Sequence, residues 1–427
     1  MTLSALRELV QFYFVAQEDK AQRESLLKFT KENDNQDVVS METDTDKKKE
    51  ATAILPEIEV YIHLLIVIYL IDHKEYEQAR ESSILLVNRI ESFNRRTLHL
   101  LAAKSYFYYS RTHELTNKLE EIRMNLINYY RTATIKHNSE GQATLLNAIL
   151  RNYLHYNLYE QADKLVSKVT FREDNTSSNE YARYLYYLGK IKSIQLEYTE
   201  AYKCLLGAIR KAPQTSARGF RVAVHKLACI VQLLMGEIPE RNIFRQSGLK
   251  KALQPYLQLT QTVRVGDLNE FHKVVSTYGN LFKEDKTYTL IQRLHHNVIK
   301  TGLRKINVAY TRISLQDICT KLQLGSVDDA EFIVAKAIRD GVINATIHHD
   351  GKFIQSKENL DVYSSQEPLD SFHKRIKFCL KTHNEAVKAM RFPPDAHKTV
   401  GSTESAKERR EREAEIQKAM EEDDEDF

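Results

Sequence analysis

The sequence predicts an almost wholly helical chain: stacked helix pairs, then a small helix–helix–hairpin module, then one long helix. Three observations carry this. Breakers are scarce, with 13 Gly and 7 Pro in 427 residues, so long helices meet few interruptions. A Tyr-x-x-Ala motif returns three times in a similar frame. Beyond Gly341 the apolar spacing turns from helical to strand-like for one short stretch.

Composition sets the bounds. The length exceeds what one hydrophobic core serves, so more than one unit is expected. Apolar residues make up 42% and charged residues 28%, which suits a soluble, ordered protein. Trp is absent, and 23 Tyr and 16 Phe supply the large side chains. A net charge of +4 is too mild to imply a nucleic-acid binder. Cys204, Cys229, Cys319 and Cys379 lie far apart with no metal-site spacing, as in a reduced intracellular protein. No basic stretch followed by an apolar run opens the chain, so no secretory leader is expected. The most apolar run, Tyr61 to Ile71, is too short to span a bilayer and reads as a buried helix.

Taken in order, residues 1–29 carry a helix with Leu6, Leu9, Val10, Tyr13 and Phe14 on one side. Residues 30–53 are polar and charged; they bury too little to offset ordering and are expected to be a disordered loop. Residues 54–300 read as helices separated by polar joints or by Gly236-Glu237-Ile238-Pro239. Within this block Tyr76 and Ala79, Tyr159 and Ala162, and Tyr198 and Ala201 share one frame. Leu188-Gly189, Tyr198, Ala201, Ala208 and Pro213 fall at the spacing of a tetratricopeptide-like helix pair. Gly and Ala suit a close helix crossing, Tyr the turn, and Pro the stop. The gap from Tyr76 to Tyr159 has room for a degenerate repeat holding Tyr106-Phe107-Tyr108-Tyr109. The prediction is an all-α solenoid of TPR-like repeats, an architecture that binds proteins and carries no chemistry of its own.

Residues 301–357 change pattern. Ser314 to Asp317 and Ser326 to Asp329 are capping boxes, each opening a short helix. Gly325 is expected to end the first and Gly341 the second. Val342, Ile343 and Ile347, then a turn at His349-Asp350-Gly351, then Phe353 and Ile354 read as a β-hairpin. Helix, turn, helix, hairpin is the order of a winged helix. Its second helix holds Asp328, Asp329, Glu331 and Asp340 against Lys336 and Arg339, a surface that repels phosphate, so specific DNA binding is not expected. The hairpin is expected to pair with a neighbouring protein, with Val342, Ile343, Ile347, Phe353 and Ile354 as candidate interface residues.

Residues 358–395 hold a long helix with Phe372, Ile376, Phe378, Leu380, Val387 and Met390. Nothing downstream can cover it, so these six are candidate contacts for a partner helix bundle. Residues 396–427 form a charged tail expected to be disordered. No catalytic signature accompanies these elements. HExxH, Walker and GxGxxG motifs are absent, and the doublets His295-His296 and His348-His349 are not ready ligand pairs. No metal, cofactor or enzymatic activity is expected.

Longer strings carry a resemblance. LRNYLHYNLYEQADKLVSK from Leu150, NEYARYLYYLGKIKSIQLEY from Asn179, GEIPERNIFRQ from Gly236, TYTLIQRLHHNVIKTGLRKI from Thr287 and DAEFIVAKAIRDGVINA from Asp329 resemble PCI-domain subunits of the 26S proteasome lid. The match runs from about Pro56 into the acidic tail and includes KAMRFPP at Lys388. PCI proteins also build the COP9 signalosome and translation initiation factor three. The resemblance implies a non-catalytic scaffold subunit that supports ATP-dependent degradation of ubiquitinated proteins. In this family winged helices associate side by side and C-terminal helices gather into a bundle. The implied partners are other lid PCI subunits and base subunits in a hetero-oligomer, with no specific nucleic acid and no membrane. The implied location is cytoplasm and nucleus. A scaffold of one of the other two PCI assemblies is the alternative. Family members usually carry a longer N-terminal region than this chain.

Overall fold

Leu6, Val10, Phe14, Leu26 and Phe29 are buried along the first two helices, α1 (Leu3–Tyr13) and α2 (Lys20–Lys28). The chain is described by a computed structural model over residues 3–14, 20–29, 54–169, 171, 176–213, 216–246, 248–357, 362–391 and 410–417. The segment 30–53, expected to be a disordered loop, lies outside these residues, as does most of the tail, of which 410–417 is helical. By internal contacts the chain divides into residues 1–356 and 357–427.

Pro56 opens the main array at the first helical turn, where its missing N–H costs nothing. The helix it starts, α3 (Pro56–Asp72), contains the apolar run and buries Ile62, Ile66 and Leu70 against Val10 and Leu26. Among the described residues no helix is long and apolar enough to cross a membrane. Helix pairs follow: α3 with α4 (Tyr76–Ser92), α5 (His99–Leu115) with α6 (Arg123–Ile135), α7 (Ser139–His155) with α8 (Tyr159–Lys168), and α9 (Ser178–Ile194) with α10 (Tyr198–Lys211). The degenerate repeat is α5–α6, where Tyr106 stacks on Tyr129 at 5.7 Å. Five further helices complete the array: α11 (Arg218–Met235), α12 (Arg241–Arg245), α13 (Lys250–Val265), α14 (Leu268–Glu284) and α15 (Tyr288–Ala309).

The three Tyr-x-x-Ala frames do the same job three times. Each Tyr is the first residue of a second helix, and Ala79, Ala162 and Ala201 are wholly buried. Two residues before each Tyr the backbone is left-handed, at Lys74 (φ 65°), Asn157 (φ 59°) and Leu196 (φ 76°). The next N–H then reaches back five residues, from Glu75 to Leu70, Leu158 to Tyr153, and Glu197 to Lys192, at 2.9–3.1 Å. This is the Schellman closure, and it reverses the chain without a glycine. At the α9–α10 crossing the glycine is required. A Cβ on Gly189 would lie 2.8 Å from Leu205 Cγ and 3.2 Å from the Ala201 carbonyl oxygen.

Polar side chains fix how the helices sit on one another. Buried Asn147 donates to the Glu180 carbonyl (2.9 Å), and Asn152 to that of Leu119 (2.6 Å). Asn297 donates to both Leu233 and Leu234 carbonyls. Lys286 Nζ reaches back to the His155 carbonyl at 2.7 Å, across 131 residues of sequence. Lys226 and the Tyr256 hydroxyl both bond Asp285. These bonds serve backbone oxygens and charges that would otherwise be costly in the interior.

The array runs directly into a winged helix. Its order is β1 (Arg312–Ser314), α16 (Leu315–Leu322), α17 (Val327–Arg339), β2 (Ala345–His348) and β3 (Phe353–Ser356), with antiparallel sheet order β1-β3-β2. Both serines cap their helices: Ser314 Oγ accepts from the Asp317 N–H and Ser326 Oγ from that of Asp329, each at 3.0 Å, the forward half of each expected capping box. Several sequence expectations need correction. A third strand, β1, pairs Ile313 with Ile354; three residues are too few to show alternation. The cap of α16 is Gln323 (φ 54°), not Gly325, because the closure from Leu324 to Cys319 places the left-handed residue there. Gly341 (φ 69°) does end α17. Val342 and Ile343 precede the strand, since the Val342 N–H closes that helix onto Ala337. In the residue 357–427 unit the main element is α18 (Glu367–Arg391).

Candidate functional site

The wing is held by its own core. Ile343 (5% exposed) and Ile354 (4%) pack with Ile313, Leu315, Ile318, Leu322, Val334 and Ala337. Val342 and Ile347 are half-buried against the same cluster. Offered by the sequence as interface residues, Ile343 and Ile354 are therefore interior: Ile354 lies on the inward face of β3, and Ile343, just before β2, is covered by α16 and α17. Phe353 is half-buried, stacked on His348 at 4.5 Å, with the Arg312 guanidinium 3.7 Å above its ring. Gly351 makes room for that ring: a Cβ there would sit 2.5 Å from it. The wing's free feature is backbone. With β3 in the centre, β1 and β2 are the sheet edges, and the outer side of β2 has no strand beside it among the described residues.

On α17 the core side is Ala330, Val334 and Ala337, and Phe332 stands on the other side, 75% exposed. Sequence reasoning passed over Phe332; its signal was an aromatic two places from the apolar stripe, on the opposite side. Some of the charges on and beside this helix are engaged. Glu331 accepts from the His349 ring at 2.8 Å, and its carboxylate raises the His349 pKa. Asp340 pairs with Lys300 (3.0 Å) and Arg339 (3.4 Å). Ser326 already satisfies the amide that would otherwise face a phosphate at the start of the helix. The His348 and His349 rings meet different partners, and His295 lies 5.6 Å from His272. Among the described residues no cluster of three or more His, Cys, Asp or Glu could hold a metal.

The helix α18 buries none of its residues over 25 positions. Leu369 (70% exposed), Phe372, Ile376, Leu380, Val387 and Met390 fall at helical spacing along one stripe. Phe378 is also exposed but falls half a turn away from Ile376, on the other side. The sequence-derived set is thus two faces, five residues on one and Phe378 on the other.

Three family models match in succession. Residues 1–260 match PSMD3-like N-terminal TPR repeats, 275–358 the PCI domain, and 361–426 the C-terminal region of proteasome regulatory subunits. The chain is 51% identical over 403 residues to the 26S proteasome non-ATPase regulatory subunit 3 of Dictyostelium discoideum, covering 93% of this chain and 80% of that one. It is 53% identical over 385 residues to the probable subunit 3 of Drosophila melanogaster, covering 90% and 78%. It is 49% identical over 402 residues to homolog B of Arabidopsis thaliana, covering 93% and 82%. With TPR-like repeats, a PCI winged helix and the C-terminal region present in that order, the chain belongs to the family of the 26S proteasome non-ATPase regulatory subunit 3.

Proposed function

We propose that the chain is a non-catalytic scaffold subunit of the proteasome lid, held in the assembly by α18 and by the edge of its wing. The observation that carries this is α18. A 25-residue helix with five exposed large apolar side chains on one stripe is unfavourable in water and favourable in a bundle. Its partners are the C-terminal helices of other lid PCI subunits, and β2 offers a pairing edge to a neighbouring winged helix. Contacts to base subunits complete the hetero-oligomer, which serves ATP-dependent degradation of ubiquitinated proteins in cytoplasm and nucleus. Thiol chemistry is disfavoured at two of the four cysteines, since burial pushes the Cys229 thiol up to about 12 and also raises Cys204.

The test is affinity purification of the tagged full chain from its own cells, followed by native mass spectrometry, beside the variant Ile376→Asp/Leu380→Asp. The wild type should recover lid and base subunits at one copy each. The variant should keep its helical circular dichroism and lose most of that recovery. Recovery of signalosome or initiation-factor subunits, or undiminished recovery by the variant, would reject the proposal.

A further inference from the structure

Near the end of α9, Lys190 lines a cavity of about 470 Å³ that the proposed assembly role does not use. The rings of Phe107, Tyr186 and Phe220 line it too, together with the cations Arg151, Arg183 and Lys286. No carboxylate lines it. The other titratable groups on its wall, His155 and Tyr187, bring no negative charge, since burial raises the Tyr187 phenol further. The wall is thus built against a cation and in favour of an anion.

Lys190 is unlike the lysines around it. Lys192, two residues on, bonds Glu197 at 2.7 Å, and Lys226 bonds Asp285. Lys190 is half-buried, and among the described residues its amine makes no ion pair and no hydrogen bond. The nearby carboxylates are committed elsewhere: Glu114 to Arg111 and Arg151, Glu180 to Arg183, and Asp285 to Lys226 and the Tyr256 hydroxyl. Burial and then the Lys286 charge lower the Lys190 pKa to about 8, against an opposing pull from Asp285. An amine of that kind is neutral in about 20% of chains at about pH 7.4, against about 0.1% for an ordinary lysine. A neutral amine has a free lone pair, which makes it a nucleophile.

We propose that Lys190 is a carbamate site: its neutral amine adds carbon dioxide, and the resulting anion is held in the cavity with Lys286 as its counter-ion. The Nζ lone pair forms the N–C bond, one C–O π pair moves onto oxygen, and Nζ releases a proton to water. No oxidant or reductant is involved. Carbon dioxide suits this wall because it is small and uncharged on entry and becomes an anion on reaction. An acyl donor would leave a neutral amide, which gains nothing from the cations. Arg151 and Arg183 already hold Glu114 and Glu180, whereas the Lys286 amine bonds only the Leu154 and His155 carbonyls among the described residues. Lys286 is therefore the cation left to meet a new negative charge. The modification would add an ion pair between α9 and the corner that joins α14 to α15. The proposal is independent of the assembly role, whose surfaces lie on α18 and β2.

The test is carbamate trapping on the full chain. The protein is equilibrated with isotopically labelled carbon dioxide and bicarbonate at about pH 7.4, treated with a trialkyloxonium salt to esterify carbamates, and mapped by peptide mass spectrometry. Label at Lys190 should exceed label at the exposed Lys104 by about tenfold or more, given the difference in neutral fraction. Lys190→Arg should lose it, because a guanidinium stays charged. Lys286→Gln should cut it about threefold or more, since the product loses its counter-ion and the amine regains charge. Circular dichroism checks that this variant stays folded. A second readout needs no variant of Lys286: at matched pH and ionic strength, bicarbonate in place of chloride should raise the melting temperature of the wild type and not that of Lys190→Arg. Absence of label at Lys190, equal label at Lys104, undiminished label in folded Lys286→Gln, or the same melting shift in Lys190→Arg would overturn the proposal.

Discussion

Gly189→Ala adds one methyl where α9 crosses α10, and the effect can be worked from the geometry. The new Cβ would lie 2.8 Å from Leu205 Cγ and 3.0 Å from its Cδ2, and Leu205 is wholly buried. It would also lie 3.2 Å from the Ala201 carbonyl oxygen, a backbone atom that cannot rotate aside. Overpacking of this kind costs about 2 kcal/mol, while Ala in place of Gly in a helix gains about 1, so the net loss is about 1 kcal/mol. Gly279→Ala in α14 is the matched control: nothing lies within 4 Å of its Cβ position, so the propensity gain of about 1 kcal/mol should stand alone. The double variant Gly189→Ala/Leu205→Ala tests the cause. Leu205→Ala alone should cost about 3 kcal/mol, and removing Leu205 should also remove most of the clash, making the pair less damaging than the sum by about 1 kcal/mol. Urea denaturation of full chains, followed by circular dichroism at 222 nm, gives these differences. If Gly189→Ala stabilises the chain as much as Gly279→Ala does, the crossing is looser than described and the explanation for the glycine fails.

Two further predictions concern a turn and a buried ring. Leu196 is left-handed (φ 76°) and 61% exposed, so Leu196→Gly should relieve backbone strain and raise stability by about 1 kcal/mol in the same assay; a loss would mean that its side chain is needed. His63 on α3 is buried, its Nε2 3.1 Å from Ser82 Oγ, and burial lowers its pKa from 6.5 to about 4. Unfolding therefore takes up a proton in this window: the contribution of the neutral ring is full above pH 6.5 and lost as pH falls towards 4, on the order of 3 kcal/mol in all. His63→Gln should cost stability at pH 7.5, and its deficit relative to wild type should shrink as pH falls to 4.5. A deficit that stays constant would show that the ring does not titrate there.

The order of elements was legible because it rests on local chemistry. Tyr-x-x-Ala marked three helix starts, and the serines at 314 and 326 marked two more, since a cap is written in one residue and its neighbours. What was hidden depends on partners distant in sequence. β1 exists because Ile354 pairs with Ile313, and Ile343 is interior because α16 and α17 close over it. Non-glycine turns were hidden for another reason. Lys74, Leu196 and Gln323 adopt a conformation that their residue types disfavour, fixed by hydrogen bonds from the following residue. On α18 periodicity alone would have separated Phe378 from the other five apolar positions, whereas Phe332 required asking which residues leave the core stripe.

Lys286 gives the array a mechanical property that a row of nearest neighbours lacks. A strict solenoid under tension peels from its ends, one repeat at a time. Here the corner between α14 and α15 grips the last turn of α7 through the His155 carbonyl, while Asp285, next to Lys286, holds Lys226 of α11. A pull applied near the winged helix is thus shared at once with the middle of the arm, and the segment between should yield as one block.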